Sequence, residues 1–415
     1  MIDRKIIQDA VAELLPQAQQ FLCDIMKFPS TSGQEHEEML FIEEAFRKLP
    51  FEVERVNMSD EIMKDPDFSD PVPGIRYDGR FNLRVRIPGT GNGKKVIFNA
   101  HTDTVPPSLG MTEAWNPKLV DGKIFGRGAC DDKGQVAVFY LICLVIQKLG
   151  LEFAGDIVGH LVNEEENGGN GSLAMARTGE MADACIVLEP TDERILTEIR
   201  GAVWFRVVFH GVAGHSGEAG QTKSALLLAR DAIGILEQYH ADLLKASRGF
   251  PLFDKYANPM PITFGKLHAG NWPAAAPNTA ELEGVLGLLP NKTKEEICAE
   301  MKAALIAGGL KEDEFDLTFM YRHDCSVVPS DHFLPQGLLK AGEEAGVKLV
   351  IDAWTASCDA WFYNNQLGIP TVVCGAGTLK VAHSINEHIE VASIGRTANV
   401  MLNYLTDFCS ATERK

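Results

Sequence analysis

The sequence predicts an α/β fold, with helices on both faces of a sheet, interrupted by an inserted α+β unit. Three observations predict it. Short apolar runs alternate with stretches at helical spacing through the first half of the chain. Between residues 197 and 321 the texture changes to helices mixed with alternating strands. After residue 322 the pattern of buried strand and helix resumes. The expected domains are a discontinuous larger one, residues 1–196 and 322–415, and an insert, residues 197–321.

Taken in order, residues 4–27 place Ile7, Val11, Leu14, Leu15, Phe21, Leu22, Ile25 and Met26 on one helical face, and residues 35–49 repeat the pattern. The loop from Met58 to Tyr77, rich in Asp and Pro, is expected to be mobile surface. Residues 81–85 and 95–100 read as short strands, and the second runs directly into His101. A buried helix is expected over 134–149, with apolar strands over 155–162 and 184–188. In the insert, 202–210 alternates as an antiparallel strand does, followed by a helix over 224–236, strands over 262–266 and 280–287, a helix over 292–307 and a strand over 315–321. Strands over 347–351 and 371–374 and a helix over 394–408 close the chain.

Composition narrows the function. With 415 residues and 45% hydrophobic content the chain has ordinary globular makeup, but its formal net charge is −18. Such a balance disfavours a nucleic-acid partner, because phosphate binding needs clustered Lys and Arg. The opening residues Met1 to Ile7 lack the apolar core of a secretory signal, and the longest apolar run, Val136 to Ile146, is too short to span a bilayer. The nine cysteines are scattered and odd in number, with no CxxC pair. We therefore expect a cytoplasmic protein with reduced thiols and no membrane partner.

Metal-type ligands recur where predicted strands and loops end. His101-Thr102-Asp103 follows a strand, the usual place for a site in open α/β sheets. Asp103 is placed to accept the second ring N–H of His101 and fix its tautomer. In Gly126-Arg127-Gly128-Ala129-Cys130-Asp131-Asp132-Lys133-Gly134, the glycine density favours a site over a plain helix cap, with Asp131 as the ligand and Asp132 as a solvated carboxylate. Three consecutive carboxylates, Glu164 to Glu166, end another strand, where they repel one another unless cations relieve them. Two of them would divide the work, one as ligand and one as proton carrier. Glu189 precedes Pro190 at a strand end, and His383 follows Gly375-Ala376-Gly377. Two imidazoles, terminal carboxylates and one shared carboxylate are what a pair of adjacent divalent ions needs.

These motifs, in this order and over nearly the whole chain, resemble the aminoacylase, acetylornithine deacetylase, succinyl-diaminopimelate desuccinylase and carboxypeptidase family of di-zinc amidohydrolases. The resemblance implies a zinc-peptidase-like catalytic domain, a mixed sheet flanked by helices, with an inserted α+β lid that pairs two subunits. It implies two divalent ions, Zn²⁺ or otherwise Co²⁺ or Mn²⁺. His101, Asp131 and Glu189 would hold one, and Asp131, Glu166 and His383 the other. Glu165 would be the general base and acid, and Asp103 would orient His101. A register one residue earlier, with Glu164 as base and Glu165 as ligand, is the alternative. In Gly211-Val212-Ala213-Gly214-His215-Ser216, His215 would steady the oxyanion, commonly from the partner subunit. The peptide Asp131–Asp132 is expected to be cis. Relatives carry an arginine before a lid proline for the substrate carboxylate, where this chain has Gly287, so Arg200 or Asn271 is the candidate replacement. The middle of Gly375-Ala376-Gly377 also lacks the family proline. The implied reaction is hydrolysis of an N-acyl amino acid or a similar small amide. A dipeptidase or carboxypeptidase with the same site is the alternative, and an inactive metal-binding homologue the third reading.

Overall fold

The structure is a computed structural model that describes residues 3–410. Its larger sheet has nine strands, running Glu52–Asn57, Phe81–Ile87, Ile157–Val162, Val96–His101, Ala184–Val187, Thr371–Val373, Arg194–Ile199 and Ser326–Val327, with Val350–Trp354 also paired to Arg194–Ile199. The central four, from Ile157–Val162 to Thr371–Val373, are mutually parallel. All four are buried along their whole length, which is why their sequences read as largely apolar runs. Their carboxyl ends lie side by side, and His101, Glu165 and Glu189 all stand at or just beyond those ends.

Helices Arg4–Ile25, Lys133–Leu149 and Val391–Phe408 pack together in the main hydrophobic core. Lys133–Leu149 is buried all round from Lys133 to Ile146, consistent with an apolar run in the middle of a layer. A smaller cluster on Val158, Val187, Trp361 and Tyr363 covers further apolar strand residues. The second sheet is antiparallel throughout, in the order Ile262–Ala269, Thr279–Leu288, Gly201–His210 and Phe315–His323. Val203, Phe205, Val207 and Phe209 point to one face, where helices Ala225–Ala246 and Lys294–Ala307 complete a separate core. The chain leaves the large sheet at Ile199, enters the small one at Gly201 and returns after His323.

The sequence pattern leaves out strands Glu52–Asn57 and Arg194–Ile199 and helix Phe333–Ala345. Glu52–Asn57 is an edge strand with only two apolar residues, so its pairing to Phe81–Ile87 carries little periodic signal. The loop from Met58 to Tyr77 is not free surface. Ser69 and Val72 donate main-chain N–H groups to Asn170 and Asn167, Asp65 and Asp67 pair with Arg177, and Tyr77 is buried. Its polar residues read as a solvated loop because their partners lie far along the chain. All nine cysteines are free. Among the described residues, no helix is long and apolar enough to cross a membrane.

Candidate metal centre

Two groups of ligand-type side chains meet at the strand ends. His101, Asp131, Asp132 and Glu189 form one, and Asp131, Glu166 and His383 the other, with the ligand atoms of each group within 4.8 Å of one another. Asp131 belongs to both. Its Oδ1 lies 3.1 Å from His101 Nε2, and its Oδ2 lies 3.1 Å from His383 Nε2. His383 Nε2 also lies 3.0 Å from Glu166 Oε1.

Each side chain is delivered by a different local device. His101 ends strand Val96–His101, and its Nδ1 is 2.9 Å from the main-chain carbonyl of Asp103. That carbonyl, not the Asp103 carboxylate at 3.4 Å, is the nearer acceptor for the imidazole. The Asp103 carboxylate instead takes the main-chain N–H groups of Glu165 and Glu166, each at 3.0 Å. Asp131 precedes a cis peptide to Asp132, as the resemblance implies. Glu387 accepts from the N–H groups of Cys130 and Asp131, and Arg127 pairs with Glu387. His383 has a left-handed backbone, φ 58°, unusual for a residue with a side chain, and Ser108 donates its hydroxyl to the His383 carbonyl. Glycine is required at 375, because a Cβ there would fall 2.5 Å from both the Glu189 carbonyl and the Gln135 side chain.

Asp132 departs from expectation. It is fully buried rather than solvated, and its Oδ2 accepts the His101 N–H at 3.0 Å. The strand end encloses it, which a sequence of adjacent carboxylates does not reveal. Glu164 is also fully buried but turns away from the cluster, to Arg80 at 2.8 Å and the Tyr77 hydroxyl at 3.0 Å. Glu165 and Glu166 face the ligand groups instead. His215 and Asn271 are not brought to the cluster within this chain. His215 is exposed, pairs with Ala275, and accepts the Gly217 N–H on its own loop, while Asn271 lies exposed nearby. Arg200 donates to the carbonyls of Thr355 and Gly201 and has no acidic partner among the described residues.

The electrostatics are those of a site built for cations. Burial pushes Glu165, Glu189 and Asp132 well above the usual carboxylate range, with neighbouring carboxylates adding to it, and Glu166 rises for the same reasons. Asp131 goes the other way: burial would raise it, but hydrogen bonds from His101 and His383 hold it below its ordinary value. Burial would lower His383, yet Asp131 and Glu166 carry it up to about 11. Crowded carboxylates that without cations could stay buried only by taking up protons, beside two imidazoles, fit a pair of divalent metal ions. Sequence reading missed Glu387, Arg80 and the buried Asp359, which accepts from the Ser172 hydroxyl and adds to the upward shift of Glu165. Glu387 lies four residues beyond His383, a nearness that could have drawn attention to it, whereas Asp359 and Arg80 carry no local signal.

Comparison with known proteins agrees with this geometry. An N-formyl-4-amino-5-aminomethyl-2-methylpyrimidine deformylase of Bacillus subtilis is 25% identical over 373 residues, covering 80% of this chain and 84% of the relative. An acetylornithine deacetylase of Shigella sonnei is 26% identical over 349 residues, covering 82% and 86%. The structure of the dipeptidase Dug1p of Saccharomyces cerevisiae superposes with a TM-score of 0.80 at 15% identity, covering 99% of each chain. Residues 97–407 match Peptidase family M20/M25/M40, and the chain belongs to that family of metal-dependent hydrolases of amide and peptide bonds.

Proposed function

We propose that this protein hydrolyses the linear amide bond of an N-acyl amino acid or a similar small amide. The observation that carries the proposal is the position of Glu165, on a turn next to the ligand-type Glu166 and in electrostatic reach of His101 and Glu189, with its main-chain N–H held by Asp103. His101, Asp131 and Glu189 would hold one divalent ion, and Asp131, Glu166 and His383 the other, zinc in preference to cobalt or manganese. Such ions, when bound, polarise the amide carbonyl and acidify a water. Glu165, pushed up by its buried surroundings, takes the proton of the attacking water and returns it to the leaving amine. Asp103 keeps the turn in place while the proton moves.

Arg200 is our candidate for the substrate carboxylate. Loop residues 355–358 run from its hydrogen-bonded partner Thr355 to Cys358, whose thiol is raised by burial and by Glu189 and Glu165. A guanidinium that shares the neighbour Tyr321 with Glu165, and has no acidic partner among the described residues, suits an anionic substrate group. We read residues 197–321 as a lid through which two subunits pair, with His215 and Asn271 presented to the neighbouring site. Strand Ile262–Ala269 lies at an edge of its sheet, and Leu226, Leu227, Leu267 and Trp272 are exposed around it. A short peptide with a free carboxyl terminus would use the same parts, and the likeness to a dipeptidase keeps that second reading.

The test is a screen of N-formyl, N-acetyl and N-succinyl amino acids beside dipeptides, using zinc-loaded protein with Glu165→Gln as control. Turnover by the native protein alone supports the proposal; no turnover of any amide overturns it. For His215, mixed dimers of His215→Ala with Glu165→Gln would regain activity if the imidazole acts across subunits.

A further inference from the structure

Beneath the candidate centre lies a second charged cluster that the reaction does not use. Glu164, next to Glu165, has a left-handed backbone at φ 65° and a fully buried side chain. One carboxylate oxygen is 2.8 Å from Arg80 Nη1, and the other accepts from the Tyr77 hydroxyl at 3.0 Å and from Asn167 Nδ2 at 2.9 Å. Arg80 reaches Glu35 with its second terminal nitrogen at 2.6 Å and lies over the Tyr77 ring at 5.2 Å. Asn170 donates to the Tyr77 hydroxyl at 2.8 Å. One guanidinium thus serves two buried carboxylates, and each of them marks a start: Glu35 precedes helix His36–Arg47, and Glu164 opens the turn that carries the candidate base.

That turn is gripped at two points. Asp103 takes the N–H groups of Glu165 and Glu166. On the other side, the Glu164 carbonyl accepts from Gly169 at 2.7 Å, and the Glu165 carbonyl accepts from Gly168 at 2.9 Å. Of the three consecutive glutamates Glu164 is fully buried, whereas Glu165 and Glu166 are partly buried and turn to the ligand groups. A left-handed backbone at a residue other than glycine is sparsely populated and persists where its surroundings hold it. The contacts that hold it here are those to Arg80, Tyr77 and Asn167.

We propose that Arg80, acting through Glu164, is a positioning residue that fixes the Glu165–Glu166 turn in its working orientation. The inference rests on Glu165 as the base, but its geometry is independent of which amide is cleaved. Losing the Arg80 anchor lets the turn relax, and small displacements of a reacting group lower rates steeply.

The experiment combines kinetics with hydrogen exchange on the zinc-loaded protein and its Arg80→Met, Arg80→Lys, Glu164→Gln and Arg80→Met/Glu164→Gln variants. Arg80→Met is expected to lower kcat about 30-fold with KM changed less than about threefold. Arg80→Lys should recover part of that loss, since a cation still meets both carboxylates. The double variant should lose no more than the worse single one, because the two residues act as one unit. Amide exchange should quicken across residues 163–169 in Arg80→Met while helix Lys133–Leu149 keeps its protection. Unchanged exchange in that segment, or a loss of kcat fully explained by lost zinc, overturns the proposal. If the native protein cleaves no amide yet the turn loosens selectively, the reaction assigned above fails and the positioning role stands. A variant that unfolds is replaced by Glu164→Gln, which preserves side-chain volume and must show the same selective loosening for the proposal to survive.

Discussion

The guanidinium of Arg200 occupies space that a side chain at Gly287 would need. A Cβ built at Gly287 lies 3.0 Å from Arg200 Nη1 and 2.8 Å from the Met260 Cα. The absence of a lid arginine at 287 and the presence of a guanidinium beside it are therefore one packing arrangement. Tyr321 links this corner to the centre: its hydroxyl is raised by burial, Glu165 adds to that shift, and Arg200 opposes it.

Gly287→Ala should accordingly destabilise the protein by about 1–3 kcal/mol, since the close neighbour is backbone and cannot rotate away. Thermal unfolding checks this, and an unchanged Tm would mean the strand has room that the structure does not show.

Arg200→Met should raise KM for a carboxylate-bearing amide about 10- to 100-fold while leaving the KM of the matching neutral amide within about twofold. Parallel kinetics on an N-acyl amino acid and its methyl amide measure the difference. Equal effects on both would remove Arg200 from carboxylate recognition.

Glu165→Gln should lower kcat by about a thousandfold or more with metal content unaltered. Elemental analysis beside steady-state kinetics reads both quantities. A variant that binds metal and turns over near the native rate would show that another group moves the proton.

Metal removal should restore the carboxylate repulsion described above, which proton uptake then relieves. His383, raised to about 11 by Asp131 and Glu166 against the effect of burial, must lose its proton to become a ligand. Zinc binding should therefore release protons and weaken as pH falls from 8 to 6. Calorimetry in buffers of different ionisation enthalpy detects the release. A pH-independent affinity would contradict it.

Glu38, which pairs with Lys133 and is not itself in either ligand group, gives a second pH dependence. Burial raises its carboxyl to about 7, with Lys133 opposing the shift. The unfolded value is about 4.3, so between these limits the folded state binds the extra proton. Stability from this group is complete below the unfolded value and is lost as pH rises through the folded one. Zinc-free protein should lose about 1–3 kcal/mol between pH 5 and 8 from this source. Glu38→Gln should flatten that slope in denaturant titrations, whatever it does to the absolute stability.

The sequence by itself determined the fold class and the identities of the side chains gathered at the parallel strand ends. Both are local properties. Apolar runs declare buried strands, and a ligand-type residue that follows such a run must emerge at the strand's end. Spacing could not decide which way consecutive carboxylates point. Glu164 turns inward to Arg80, Asp132 is enclosed against the His101 N–H, and Asp103 grips the next strand's turn with its carboxylate, leaving the imidazole to its carbonyl. The sequence pointed to Arg200 or Asn271 as a replacement for the arginine missing at Gly287, but not to the packing of Arg200 against that glycine. Each of these outcomes depends on partners from distant segments, and only folding brings those partners within hydrogen-bonding or packing range.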